Sequence, residues 1–422
     1  MRRTPLLLVA IPVFSTMLSA QAARRTDVRA DHGFSAERLQ RVDAYLQGQV
    51  DSSRIAGAVG LVLRDGKVVY QRAVGWADKA SGRRMTADAM FRIASQTKAL
   101  TSIAIMMLYE EGKLGLGNPV SRFIPAYSRT TVMTNGQPVP ATRQITIKDL
   151  LTHTAGISYG TDAALAALYR EKGLGPAAGQ GWYTADKDEP VCTTMERLAT
   201  LPFLQQPGKE WVYGYNTDIL GCVVEKVSGI PLDEFIRTRI TGPLRMTDTH
   251  FFVPAAGRNR LVTLYASDST NHIVRAPDGA SGQGHYIDGP RRNFAGGAGL
   301  VSTARDYARL LAMMQNGGEL DGMRILSPQT VALMASNQTG TLFPANGQSF
   351  GLGFSIVDRL GADNTPVSVG TYGWSGAYGS QYRVDPAQGI VLVFMINQMP
   401  NRSDAASKFP TLVYQAMTTS RH

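Results

Sequence analysis

Ser95 and Lys98 stand three residues apart in Phe91-Arg-Ile-Ala-Ser-Gln-Thr-Lys98, at the head of the apolar run Ala-Leu-Thr-Ser-Ile-Ala-Ile-Met-Met-Leu. If that run is a buried helix, both side chains share one face of its first turn, where an amine reaches a hydroxyl. A lysine held out of water there can take the serine proton in its neutral form, making the hydroxyl a nucleophile for acyl transfer. Ser-x-x-Lys also arises by chance in a chain of 422 residues, with the lysine solvated on a helix start, so the surrounding residues must decide.

Such a pair needs a third polar group to pass the proton to the leaving group. Tyr213, in Pro207-Gly-Lys-Glu-Trp-Val-Tyr213-Gly-Tyr-Asn-Thr-Asp218-Ile-Leu-Gly, lies in a turn just before an apolar helical run. A phenol beside a lysine can serve as base or acid, and alone it reads equally as a packed aromatic with a hydrogen-bonded tip. A rival nucleophile is Ser158 in Gly156-Ile-Ser-Tyr-Gly160, which matches Gly-x-Ser-x-Gly. That elbow requires a strand before the serine and a helix after it. Here the preceding Thr146-Ile-Lys-Asp-Leu-Leu-Thr reads as a short helix and a loop follows, so Ser158 is assigned to a glycine-assisted turn.

The elements that must position these residues can be read from periodicity. Ser35 followed by Leu39, Val42, Leu46 and Val50 predicts a capped amphipathic helix. Two strands joined by Asp65-Gly66 follow, and a second hairpin spans Gln381 to Ile396, with a closing helix over Phe409 to Met417. Helices over Ile145 to Leu151 and Thr217 to Val227 alternate with long Gly-, Pro- and Asp-rich stretches at Gly173 to Pro190 and Ala255 to Arg292. Loops of that length in a compact protein tend to be lids or binding loops. The layout predicts an α+β protein: an antiparallel sheet built from both chain ends, flanked by helices, with a mainly helical region inserted. The expected division is a sheet lobe over about 23–120 and 293–422, and a helical lobe over about 121–292.

Residues 1–22 have the order of a secretory signal peptide, with Arg2-Arg3, the apolar Leu6 to Phe14, and Ala20-Gln-Ala22 for cleavage. The expected mature domain is 23–422, exported to the periplasm or medium, with no membrane span. The formal charge of +10 drops by the two arginines of the leader, and the remaining basic residues are dispersed, which argues against a nucleic-acid partner. Cys192 and Cys222 could pair in an oxidising compartment, although Cys222 within Ile-Leu-Gly-Cys-Val-Val also reads as a small buried hydrophobe. His32, His250, His272, His285 and His422 are scattered without metal-ligand spacing, and His153 reads as fixing a turn. Gly296-Gly-Ala-Gly lacks a strand-turn-helix setting and reads as close backbone packing, so neither a metal nor a cofactor is expected.

Taken in order, six segments resemble the serine β-lactamase-related hydrolases: Phe91 to Lys98, Asp149 to Gly160, Pro207 to Gly221, Gly242 to Phe251, Gly296 to Tyr307, and Trp374-Ser-Gly-Ala-Tyr-Gly379. That group includes class C β-lactamases, D-stereospecific peptidases and family VIII carboxylesterases. The resemblance covers nearly the whole mature chain and implies a β-lactamase/transpeptidase-like fold with the site at the junction of sheet and helices. It implies Ser95 as acyl-forming nucleophile, Lys98 as its activator and Tyr213 as proton shuttle. The N–H groups of Ser95 and Ala377 would form the oxyanion hole, and Trp374, Ser375, Gly376 and Tyr378 would contact substrate, on an edge strand where β-lactamases carry Lys-Thr-Gly.

Two departures choose among branches. The family's Tyr-x-Asn is broken, because Tyr215 follows Tyr213 at that position and Asn216 comes one step late. Trp374 replaces the lysine of Lys-Thr-Gly and removes a positive charge that would hold an acidic β-lactam. Both features resemble the esterase-like branch, so the expected substrate is a small ester, with a short or D-residue-containing peptide as the alternative and acyl transfer or β-lactam cleavage behind them.

Overall fold

The computed structural model describes residues 32–174, 186–280 and 282–421. The expected leader at 1–22 and most of the expected loop from Gly173 to Pro190 lie outside them.

Helix α1, Ala36–Asp51, begins where Ser35 accepts a hydrogen bond from the Arg38 N–H, and it buries Leu39, Val42, Leu46 and Val50. Strands β1, Gly57–Arg64, and β2, Lys67–Asp78, form the expected hairpin, with Asp65 and Gly66 both at positive φ, as a tight two-residue turn requires. The sheet also takes β3, Arg83–Arg84, then β4, Gln348–Phe350, β5, Ser355–Val357, β6, Tyr372–Ser375, β7, Gln381–Asp385, and β8, Ile390–Met395. All its pairs are antiparallel, in the order β4-β5-β6-β7-β8-β1-β2-β3. The chain ends meet at its centre, where Leu61 of β1 opposes Val393 of β8.

Because β1 and β8 are covered on both faces, β8 is apolar throughout and β1 carries no polar side chain before its last residue, Arg64, so neither alternates. One face, with Val62, Leu392 and Phe394, packs under α1 and the closing helix α7, Ala405–Tyr414. This helix starts earlier than expected and takes Pro410 into its interior, since burial of Phe409 and Val413 outweighs the lost backbone donor. The other face, with Leu61, Val391 and Val393, joins a larger core holding α2, Thr97–Glu110, and α6, Ala304–Gln315.

Helix α2 is buried without a break from Thr97 to Leu108, so it is covered all round rather than along one stripe. Behind it stand α3, Ile147–Leu151, with a capping box between Thr146 and Asp149, and α5, Asn216–Ser228, which packs along α2. Helix α4, Val191–Leu198, leans on α5, and a disulfide joins Cys192 to Cys222 across them. Cys222 is therefore a bridge as well as a buried side chain. Segment 261–267 runs back to the sheet lobe, where the Tyr265 N–H donates to the Asn397 carbonyl.

Strand β6 departs from the expected edge position, because β5 pairs with Tyr372 and Gly373 on one side and β7 on the other. Trp374 and Ser375 nevertheless extend past the end of β5, which opens a local edge within an interior strand.

Candidate active site

Ser95 sits in a short 3-10 turn, Ala94–Gln96, that feeds directly into α2. Its neighbours Ile93, Ala94, Gln96, Thr97 and Lys98 are all buried, whereas Ser95 itself is half-buried and reaches the surface. Ala94 holds φ at +43°, a left-handed conformation costly for a residue with a Cβ, and the packing around it must hold it there. Asn397 clasps the peptide just upstream, accepting from the Arg92 N–H at 3.1 Å and donating to the Arg92 carbonyl at 2.9 Å. The Ile93 N–H donates to the Leu300 carbonyl. Gly376, just after β6, lies so close that a Cβ there would come within 2.4 Å of the Ile93 carbonyl oxygen.

Lys98 is 2% exposed and its three donors have three acceptors. Its Nζ donates to Ser95 Oγ at 3.2 Å, to the Tyr159 hydroxyl at 3.0 Å and to the Gly297 carbonyl at 2.8 Å. Tyr213 approaches differently: its ring centre lies 4.7 Å from Lys98 Nζ, and its hydroxyl accepts from Trp374 Nε1 at 3.0 Å. The three predicted side chains thus come together, and Tyr159, which the sequence reading passed over, supplies the hydroxyl on the amine. Burial above all, with Tyr213 and Asp218 adding to it, pushes the Tyr159 phenol well above its usual range and keeps it protonated. Its place in Ala-Gly-Ile-Ser-Tyr-Gly, six residues after His153, carries no local signal that it faces Lys98.

His153 does more than fix a turn. Its ring is buried 4.7 Å from that of Tyr213, and its Nδ1 is 2.9 Å from Asn216 Nδ2. Burial first, and the Lys98 charge second, hold it well below the usual histidine range, so the ring is neutral and Nδ1 accepts from the amide. Asn216, one step late for the family motif, is turned to the underside of Tyr213 through His153 and the Ile157 carbonyl. Trp211 stacks on the other side of Tyr213 at 5.6 Å and 11°, and Phe343, Phe350 and Trp374 close an aromatic wall around it.

Asp218, on the first turn of α5, is 1% exposed and accepts the Gly297 N–H on Oδ1 at 3.1 Å. A Cβ at Gly297 would lie 2.4 Å from Asp218 Oδ2, so the Gly-Gly-Ala-Gly segment is close packing against this carboxylate. Burial pushes the Asp218 carboxyl up to about 6, against the pull of Lys98 and the Gly297 N–H.

Beyond β6 the chain turns, with the Gly379 N–H donating to the Gly376 carbonyl. Among the described residues the Ala377 N–H has no backbone acceptor. Trp374 is half-buried and Ser375 exposed. Tyr378, expected to face substrate, instead turns inward at 1% exposure and packs with Ala94, Leu264 and Ala276 beneath the turn, because its ring is the apolar filling of that small core. Ser158 is 5% exposed, donates to Asp162 at 2.6 Å and accepts the Gly160 N–H. Among the described residues no His, Cys, Asp and Glu side chains group to hold a metal ion, and no helix is long and apolar enough to cross a membrane.

Comparison with known proteins places residues 42–416 in a match to the beta-lactamase family. Esterase EstB of Burkholderia gladioli is 33% identical over 379 residues, spanning 86% of this chain and 91% of that protein. A putative D-alanyl-D-alanine carboxypeptidase of Salmonella typhimurium is 28% identical over 396 residues, spanning 87% of this chain and 84% of that one. The solved structure of EstCE1, described as a hydrolase with promiscuous acyltransferase activity, superposes with a TM-score of 0.76 at 28% identity, covering 91% of this chain and 99% of its own. The architecture is accordingly the β-lactamase/transpeptidase-like one.

Proposed function

The chain belongs to the beta-lactamase family and is a serine hydrolase, and from that premise we propose that it cleaves small carboxylic esters through a covalent acyl-enzyme on Ser95. The observation that carries this reading is the 3.2 Å contact between Lys98 Nζ and a Ser95 Oγ that alone in its segment reaches the surface. Ser95 Oγ attacks the acyl carbon as its proton passes to the Lys98–Tyr213 pair, which accepts it in the form holding one proton fewer than ammonium plus phenol and returns it to the departing alkoxide. The N–H groups of Ser95 and Ala377 donate to the oxygen on which charge develops. Water, deprotonated by the same pair, then attacks the acyl carbon and frees the acid and Ser95.

The ester preference rests on Trp374. Its indole occupies the position of a lysine in β-lactamases and spends its only donor on Tyr213, leaving an apolar face toward the acyl group. The similarity to Esterase EstB supports the same branch. The Cys192–Cys222 bridge supports export into an oxidising compartment. Rates on a short-chain nitrophenyl ester, a D-alanyl dipeptide and a chromogenic cephalosporin, measured side by side, test the reading. The ester should be turned over at least about a hundredfold faster in kcat/KM than either other substrate; equal rates on all three would overturn it.

A further inference from the structure

Asp218 is a carboxylate in the core of the enzyme with half its hydrogen-bonding capacity unused. Oδ1 takes the Gly297 N–H, and Oδ2 has no hydrogen-bond partner. A buried charged oxygen without a partner is expensive, and an apolar residue of similar size would avoid that cost. Its setting gives it a second consequence. Asp218 grips the Gly296–Gly297 peptide unit by the Gly297 N–H, and the carbonyl at the other end of Gly297, in the next peptide unit, takes the Lys98 amine at 2.8 Å. The Gly296 carbonyl of the gripped unit is fixed in turn by the Thr101 hydroxyl of α2 at 2.9 Å. Gly297 cannot carry a side chain without meeting Asp218 Oδ2, so carboxylate and peptide form one closely fitted unit behind the lysine.

We propose that Asp218 in its ionised form is a positioning residue for Lys98, gripping the Gly297 segment so that its carbonyl holds Nζ against Ser95, and that protonation of Asp218 loosens that grip and slows acylation. The titratable groups facing it are Lys98 from α2, Tyr159 from the loop after α3 and Tyr127 from the turn Pro125–Arg129. Both tyrosines are held protonated by burial, so Lys98 is the charge that answers Asp218. Burial pushes the Asp218 carboxyl up to about 6, inside the working range of most hydrolases, so ordinary changes of pH reach its ionisation. This role rests on Ser95 being the nucleophile but not on which acyl group it accepts.

The test reads Ser95 directly, by the rate at which a fluorophosphonate labels it between about pH 5 and 8. In the parent enzyme labelling should rise with an apparent pKa near 6. Asp218→Asn keeps an acceptor for the Gly297 N–H and removes the charge; it should lose that limb and label about tenfold more slowly at its plateau. The same variant carries a stability signature. A carboxyl with a raised pKa in the fold contributes most below its unfolded value and loses that contribution as pH rises through about 6. The Tm of Asp218→Asn minus that of the parent should therefore grow by about 3 °C from pH 4 to pH 7. A carboxylate serving only to start α5 would lower Tm on substitution and leave the labelling limb in place, and that result overturns the proposal. If Asp218→Asn does not fold, Asp218→Glu carries the test: a limb displaced from that of the parent supports the role and an unmoved limb refutes it. Should no ester be turned over while Ser95 still labels with this pH course, the substrate reading fails and the role of Asp218 stands.

Discussion

Ser95 and Ser158 each satisfy a hydrolase motif, and each lies on a turn with backbone at positive φ nearby, yet their surroundings prepare them for opposite ends. Ser158 follows a helix and a turn, is sealed from solvent, and donates a hydrogen bond to Asp162, an acceptor that holds the hydroxyl as a strut for the Gly160 turn. Ser95 reaches the surface and receives a hydrogen bond from Lys98, so its own hydroxyl proton is not committed to that partner. Motif spacing identifies neither; what separates them is whether the partner is an acceptor or a donor, and whether the oxygen reaches the surface.

The sharpest way to break the comparison is to truncate both serines. Ser95→Ala should lower kcat/KM for a short-chain ester by more than about a thousandfold, while Ser158→Ala stays within about threefold. A reversal would move the nucleophile to the other turn. The two tyrosines refine it. Tyr213→Phe removes the hydroxyl held by Trp374 and should cost about a hundredfold in kcat with little change in KM. Tyr159→Phe deletes one of three acceptors on Lys98 and should cost about tenfold. Equal losses would mean that the two phenols share one task. The smallest effect on rate is expected at the bridge: Cys192→Ser with Cys222→Ser should leave kcat within about threefold but lower stability by about 2–4 kcal/mol, read from denaturant unfolding.

Much of the scaffold was legible because it is local. The Ser35 cap, the Asp65-Gly66 hairpin and the β7–β8 hairpin are written in adjacent residues, and the structure places them as read. The triplet Ser95, Lys98 and Tyr213 was legible through spacing and resemblance, and the structure brings it together. Tyr159, Asn216 and Asp218 were not. Each acts on a residue dozens of positions away, and nothing in a neighbouring residue marks a phenol as facing Lys98 rather than filling a core. Tyr378 failed in the converse way, since a tyrosine in a motif beside the pocket was read as facing outward and the small core under the turn claims its ring. The interior place of β6 was missed because β4 and β5 are three-residue strands, too short to show a period of two.

The clasp of Asn397 on the Arg92 peptide spans 305 positions of the chain. A nascent polypeptide that has not yet been extended through β8 has the whole Ser95–Lys98 segment but neither the central strand nor the amide that seats it. Long-range closures of this kind form late and slowly. Ser95 and Lys98 are thereby kept without their mould until synthesis is nearly over, and their geometry is completed only as a last act of folding.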